Sequence, residues 1–243
     1  GLAALVASVQ DLGRVVVVAP DSPQSGMGHA ITVSEPLRLE EVEAFGPEIH
    51  AYRSNGTPAD CVKLAVSNIL HQRPDIVISG INHGSHSSIN AIYSGTVSAA
   101  MEGVIEGVPA AAFSLLDYSL HANMEPAKPY ARRVTQQVLA NGLPLGVLLN
   151  VNFPVTGERP IAGVKICRQA SAKWQENFDE REDPTGRKYY WLVGNFVNYD
   201  EGEDTDEYAL KHDYVAVTPI QYDLTAYQAL SMLNHWNLSH HEG

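Results

Sequence analysis

Four consecutive valines, Val15 to Val18, closed by Ala19 and Pro20, constrain this chain more than any other feature. A run that short and that uniformly apolar is the pattern of a strand covered on both faces, and such strands belong to parallel sheets flanked by helices. Residues 75–79 (Asp-Ile-Val-Ile-Ser), 108–114 and 146–153 are further runs of this kind, and residues 58–72, 96–106 and 126–140 between them have helical spacing. The alternation predicts an α/β fold built on a doubly wound, Rossmann-like, mostly parallel sheet.

Local signals agree with that alternation. Thr57, Pro58 and Asp60 supply an N-cap, a proline at the first helical position and a first-turn carboxylate, and Cys61, Ala65, Asn68 and Ile69 mark an apolar face that must pack on the sheet. The first nine residues are apolar at helical spacing, so the chain starts within a helix. The main domain closes near Pro154, and from Ile161 onward the texture changes. Shorter apolar runs, Val164 to Cys167 and Tyr189 to Val193, flank a turn at Asp183-Pro184-Thr185-Gly186, which predicts hairpins. Tyr214 to Thr218 is a further strand, and a helix capped by Thr225 closes the chain with Leu230 and Leu233 on its buried side. We therefore divide the chain into a catalytic α/β domain, 1–154, and a hairpin and helix extension, 155–243, suited to oligomerisation.

Composition narrows the function. With 28 acidic against 16 basic side chains the formal charge is −12, which excludes a surface that holds long nucleic acid by neutralising many phosphates. No apolar run is long enough to span a bilayer, so no membrane partner is expected. The two cysteines, Cys61 and Cys167, lack metal-ligand spacing and read as buried small hydrophobes of a cytoplasmic protein. The acidic loop 200–206 reads as a solvated face.

In an open α/β sheet, ligands bind beyond the carboxyl ends of the strands, and loops 21–29, 80–95 and the segment after Ser114 all leave strands at that end. Loop 80–95 delivers Ser94, Gly95 and Thr96 onto a helix start, where free N–H groups, the helix dipole and two hydroxyls suit a phosphate. From Asp75 to Leu120 there is no lysine or arginine. A divalent cation is then the economical counter-charge, and Ser25 and Asn82 are the oxygen donors placed to hold magnesium or manganese. A serine hydrolase built on Ser94 is the weaker alternative, since no Gly-x-Ser-x-Gly elbow surrounds it.

Four ordered segments carry a resemblance. Ala19-Pro20-Asp21 with Ser25-Gly26-Met27-Gly28-His29, Asn55-Gly56-Thr57-Pro58-Ala59-Asp60-Cys61-Val62, Ser79-Gly80-Ile81-Asn82-His83-Gly84, and Tyr93-Ser94-Gly95-Thr96-Val97-Ser98-Ala99-Ala100-Met101-Glu102-Gly103 resemble the SurE (survival protein) family in order and spacing. Leu149-Asn150-Val151-Asn152-Phe153-Pro154, Tyr189-Tyr190-Trp191 and Val217-Thr218-Pro219-Ile220 extend the likeness over nearly the whole chain.

The resemblance implies a metal-dependent phosphatase of nucleoside 5′- and 3′-monophosphates, sometimes of short polyphosphate, with one Mg²⁺ or Mn²⁺ per subunit and a homodimeric or homotetrameric assembly. It makes Ser25 and Asn82 metal ligands and Ser94, Gly95 and Thr96 the phosphate cradle. Where the family usually has an asparagine this chain has His86, which becomes the remaining candidate phosphate contact. The family's Asn-Asp-Asp-Gly motif, whose aspartates are its principal ligands and expected catalytic carboxylates, precedes Gly1, so the full protein is expected to extend upstream. A catalytically impaired nucleotide-binding or assembly subunit is the alternative that the missing aspartate pair raises.

Overall fold

The structure is a computed structural model that describes residues 1–157, 159–236 and 238. Helix α1 (Leu2–Val9) leads into the valine strand β1 (Val16–Pro20). Strand β1 pairs in parallel with β3 (His50–Ser54), which pairs antiparallel with β2 (Leu39–Val42). Helix α2 (Pro58–Leu64) runs on into a π-helical turn at Ala65–Ile69. The order continues with β4 (Val77–His83), the short α3 (Asn90–Tyr93), α4 (Gly95–Ile105), β5 (Ala110–Leu115), α5 (Lys128–Asn141) and β6 (Val147–Phe153). Beyond these stand β7 (Gly163–Ile166), β8 (Ala172–Glu182), β9 (Lys188–Asn198), α6 (Asp206–Lys211), β10 (Tyr214–Gln221) and α7 (Tyr227–Leu233).

Hydrogen bonding divides the main layer into a three-stranded sheet, β1-β3-β2, and a five-stranded sheet, β4-β5-β6-β10-β7. The same helices flank both. On one face Leu5 of α1 joins the core over β5 and β6 while Val6, one residue on, packs with Val17 and Ala51 of the smaller sheet. On the other face α2 lies on β1 and against α4, which lies on β4 and β5.

Alternate residues of β5 show how the layers sort. Ala110 and Ala112 face Val97, Ala100 and Val104 of α4, whereas Ala111 and Phe113 face Ala131 of α5 and Leu5 of α1. Strands β4, β5 and β6 are parallel and adjacent in that order. Two successive crossovers therefore step the same way across the sheet with their helices on opposite faces, so one of the two takes the rare left hand. The consequence is functional: the connections leaving β4 and β5 lead to helices on opposite faces, the arrangement whose crevice binds ligands in such sheets.

Several elements differ from the sequence expectation for identifiable reasons. Strands β2 and β3 were not anticipated, because Leu39-Glu40-Glu41-Val42 and His50-Ala51-Tyr52-Arg53-Ser54 are largely polar; they form through ladder bonds and the cross-strand pair Arg53–Glu40 at 2.7 Å. Strand β4 runs to His83, so Asn82 stands on the strand and not in the loop. Residues past 154 return to the main sheet as β7 and β10, while β8 and β9 form a separate two-stranded ribbon turned at Asp183, with Gly186 at φ +79°. Helix α7 has no buried residue and Leu230 is 46% exposed, contrary to the buried side expected for it, because nothing among the described residues covers that helix. Among the described residues no helix is long and apolar enough to cross a membrane.

Candidate functional site

The site is assembled from the amino end of α4 outward. Ser94 is the N-cap: its Oγ accepts the Val97 N–H at 3.0 Å and its carbonyl accepts the Ser98 N–H at 3.0 Å. The N–H groups of Gly95 and Thr96 then have no partner among the described residues, which leaves two converging donors at the positive end of a helix. Gly95 is required by its surroundings, since a Cβ there would stand 2.9 Å from Pro58 Cγ of α2 and 3.5 Å from the Gln24 carbonyl oxygen.

That contact also places Ser25, the residue after Gln24, beside the phosphate corner. Loop 21–29 is stitched to the same turn by Gly28, whose N–H donates to the Tyr93 carbonyl at 3.1 Å. Its far end is pinned by a carboxylate sequence reasoning did not single out, Glu102 on α4. Glu102 is buried and receives His29 Nε2 at 2.8 Å and Lys63 Nζ at 2.6 Å. The pairing with Glu102 pushes the Lys63 ammonium above its ordinary pKa. The Thr57–Asp60 capping box completes the anchor, with Thr57 Oγ1 donating to the Ala30 carbonyl at 2.7 Å.

Asn82 approaches from the strand side. Ser79 Oγ, on the same strand, donates to the Thr96 carbonyl at 2.5 Å and ties β4 to the first turn of α4. Asn82 Nδ2 donates to the carbonyls of His83 and Gly84 at 2.9 and 3.1 Å, which turns Oδ1 away from them as the free acceptor. Loop 21–29 and strand β4 are thus each tied to the Ser94 turn, through Gly28 and Ser79, and these are the segments that carry Ser25 and Asn82. Two neutral oxygens suit part of the shell of a hard dication that keeps several waters. No group of three or more His, Cys, Asp or Glu side chains that could hold a metal gathers among the described residues.

His86 is placed differently. It is 4% exposed in loop 84–89, its Nδ1 has no partner, and burial holds its pKa down at about 3, so the ring is neutral near pH 7. Its backbone is gripped from the sheet: Asn152 Oδ1 accepts the His86 N–H and Asn150 Nδ2 donates to the His86 carbonyl, both at 2.8 Å. Ser114 Oγ donates to the same Asn152 oxygen at 2.6 Å. From the other side, buried Asp206 accepts the N–H groups of Ser88 and Ala170 at 2.8 and 2.9 Å, and Ser87 donates to Glu207. Burial pushes both carboxyls above their ordinary pKa.

The acidic stretch before α6 therefore has two parts. Asp200 and Asp204 pair with Arg168, an ion-pair knot, while Asp206 is a loop clamp and not a solvated charge. Its one sequence signal was the capping pattern Thr205-Asp206-Glu207. Ser94 Oγ meets no histidine, so the serine-hydrolase alternative lacks its base. Both cysteines are buried, and burial pushes the Cys61 thiol up to about 12. Two concavities, at residues 10–15 with 45–49 and at 145–146 with 221–224, lie at the opposite, amino ends of the parallel strands.

Comparison with known proteins shows the family and the fold. The family model described as Survival protein SurE matches residues 1–176. A protein named 5'-nucleotidase SurE from Christiangramia forsetii is 58% identical over 240 residues, covering 98% of this chain and 92% of its own. One of the same name from Flavobacterium psychrophilum is 56% identical over 239 residues, covering 98% and 93%. The crystal structure of the SurE protein from Aquifex aeolicus superposes with a TM-score of 0.81 at 38% identity, over 96% of this chain and 93% of that one.

Proposed function

Because the chain belongs to the SurE survival-protein family, we propose that it is a 5'-nucleotidase: a phosphomonoesterase that hydrolyses nucleoside monophosphates, with 3′-monophosphates and short polyphosphate as further substrates and a divalent cation, Mg²⁺ or Mn²⁺, as cofactor. One observation carries this reading. Two unpartnered amides at the start of α4 stand, with Thr96 and Asn82, in a stretch of 46 residues, 75–120, that has no lysine or arginine, and Ser25 follows Gln24, whose carbonyl lies against the same turn. Such a corner accepts a dianionic phosphate by dipoles.

Each residue then has a role. Gly95 and Thr96 donate to the phosphate oxygens, and Ser94, whose acceptor face is committed to Val97, keeps its hydroxyl proton for the same anion. Ser25 and Asn82 would be neutral ligands of the cation, which when bound supplies charge neutralisation and polarises an oxygen for attack on phosphorus. Loop 84–89 walls the corner, and its neutral His86 can offer only an uncharged ring N–H. Ribbon β8–β9 and helix α7 expose Phe178, Trp191, Leu192 and Met232, which supports the same reading of 155–243 as an oligomerisation element of a dimer or tetramer.

The test is phosphate release from AMP, GMP and 3′-AMP by the full-length protein, before and after exhaustive chelation. Release that chelation abolishes and Mg²⁺ or Mn²⁺ restores is the expected result. Activity indifferent to chelation would sink the cation's part, and no release from any nucleotide in either metal would sink the nucleotidase.

A further inference from the structure

The crevice between the loops leaving β4 and β5 has a second wall that the phosphate corner does not use. Tyr118, in the loop from β5 to α5, packs directly on Gly84: a Cβ on that glycine would stand 2.4 Å from Tyr118 Cε1 and 2.8 Å from Cδ1. Gly84 sits at φ +100°, where a side chain is strained as well as obstructed. The ring nevertheless remains 70% exposed.

It is also held in place. Gly84 N–H donates to the Leu115 carbonyl at 2.8 Å, and His83 Nδ1 donates to the Ser119 carbonyl at 2.7 Å, so the two residues beneath the ring clip the loop on either side of it. Asp117 Oδ1 accepts the Ser119 N–H at 2.8 Å and stiffens the same turn. The Gly84 carbonyl is in turn one of the two that orient Asn82. An exposed aromatic ring is thus mounted one residue from the group that positions a candidate metal ligand, on the wall opposite α4.

Most surface tyrosines need no explanation. This one combines a fixed backbone, a glycine seat that no other residue can replace without displacing the ring, and contact with Gly84, whose carbonyl holds Asn82. Resting on the nucleotidase reading, we infer that Tyr118 is the platform on which the substrate's nucleobase stacks while its phosphate lies against the α4 amides. Stacking on a π-face tolerates every base, and gains with overlapped area, so purine nucleotides are favoured over pyrimidine nucleotides. Tyr118 is then a specificity-determining residue that separates nucleotides from other phosphomonoesters.

The test compares AMP with ribose 5-phosphate, which lacks only the base, in the full-length protein. The ratio of their kcat/KM values should fall about tenfold in Tyr118→Ala, within the range known for a lost base stack, and should be retained in Tyr118→Phe and Tyr118→Trp. An unchanged ratio in Tyr118→Ala overturns the inference, as does an equal fall in Tyr118→Phe, which would assign the effect to the hydroxyl. A wild-type enzyme that hydrolyses both esters without preferring AMP overturns it too, and leaves the phosphatase reading intact. If the wild type hydrolyses neither, the nucleotidase reading fails by itself, and calorimetric affinities for the same two ligands decide the Tyr118 question by the same ratio.

Discussion

Acidification should destabilise this protein through His86 by an amount the structure sets. The imidazole is buried, its Nδ1 is unpartnered, and its pKa is held at about 3 against an ordinary 6.5. Between those two values the unfolded chain binds a proton that the folded chain refuses. Stability is therefore fully present above pH 6.5 and is lost as pH falls toward 3, at about 1.4 kcal/mol per pH unit. From pH 7 to pH 4.5 the loss from this residue alone comes to about 2 to 3 kcal/mol. The perturbation is His86→Asn, which removes the titrating group and places a neutral amide between the same backbone grips from Asn150 and Asn152. Urea unfolding of both proteins at the two pH values gives the difference of differences, in which every other titrating group cancels. The wild type should lose about 2 to 3 kcal/mol more than the variant. Equal losses would refute the reasoning, because they would mean that His86 finds water or a proton acceptor in the folded state.

Two further outcomes follow from the same geometry. Lys63→Met leaves the buried Glu102 carboxylate with His29 alone and should cost about 2 kcal/mol in urea unfolding, more than the ~1 kcal/mol for Glu102→Gln, which removes the buried charge itself; the reverse order would show that Glu102 is not held as an ion. Trp191→Glu on β9, combined with Leu230→Glu on α7, should raise the dissociation constant of the assembly about 30-fold or more by sedimentation, and a wild type that sediments as a single chain would sink the oligomer.

How much of this was legible beforehand depended on which force made each element. Strands β1, β5 and β6 were plain in the sequence because short runs dominated by apolar residues mark strands of a helix-covered parallel sheet. Strands β2 and β3 were not, since a polar edge ladder is stabilised by pairing and cross-strand charge, which have no local apolar signature. Helix α7 shows the opposite error. Its spacing is amphipathic, yet periodicity says only that one face is apolar, never what covers it, and among the described residues nothing does.

The site divides along a similar line. The anion corner could be read in advance because its physics is local: a serine, a glycine and a threonine at a helix start produce unsatisfied amides wherever they occur. Everything that aims that corner is held from far along the chain. Glu102 reaches back 73 residues to His29, Asp206 reaches 118 to Ser88, and Asn152 reaches 66 to His86. Of these partners only Asp206 stands at a helix start, behind the Thr205 cap, and that position signals a cap and not a clamp on a distant loop. They are polar residues in apolar surroundings, visible only once the fold has removed them from water and each must find a partner or bear the cost of lacking one. His86 Nδ1 is the atom in loop 84–89 that found none. That is why the pH response of stability, and not activity alone, is the sharpest measure of whether this loop is built as described.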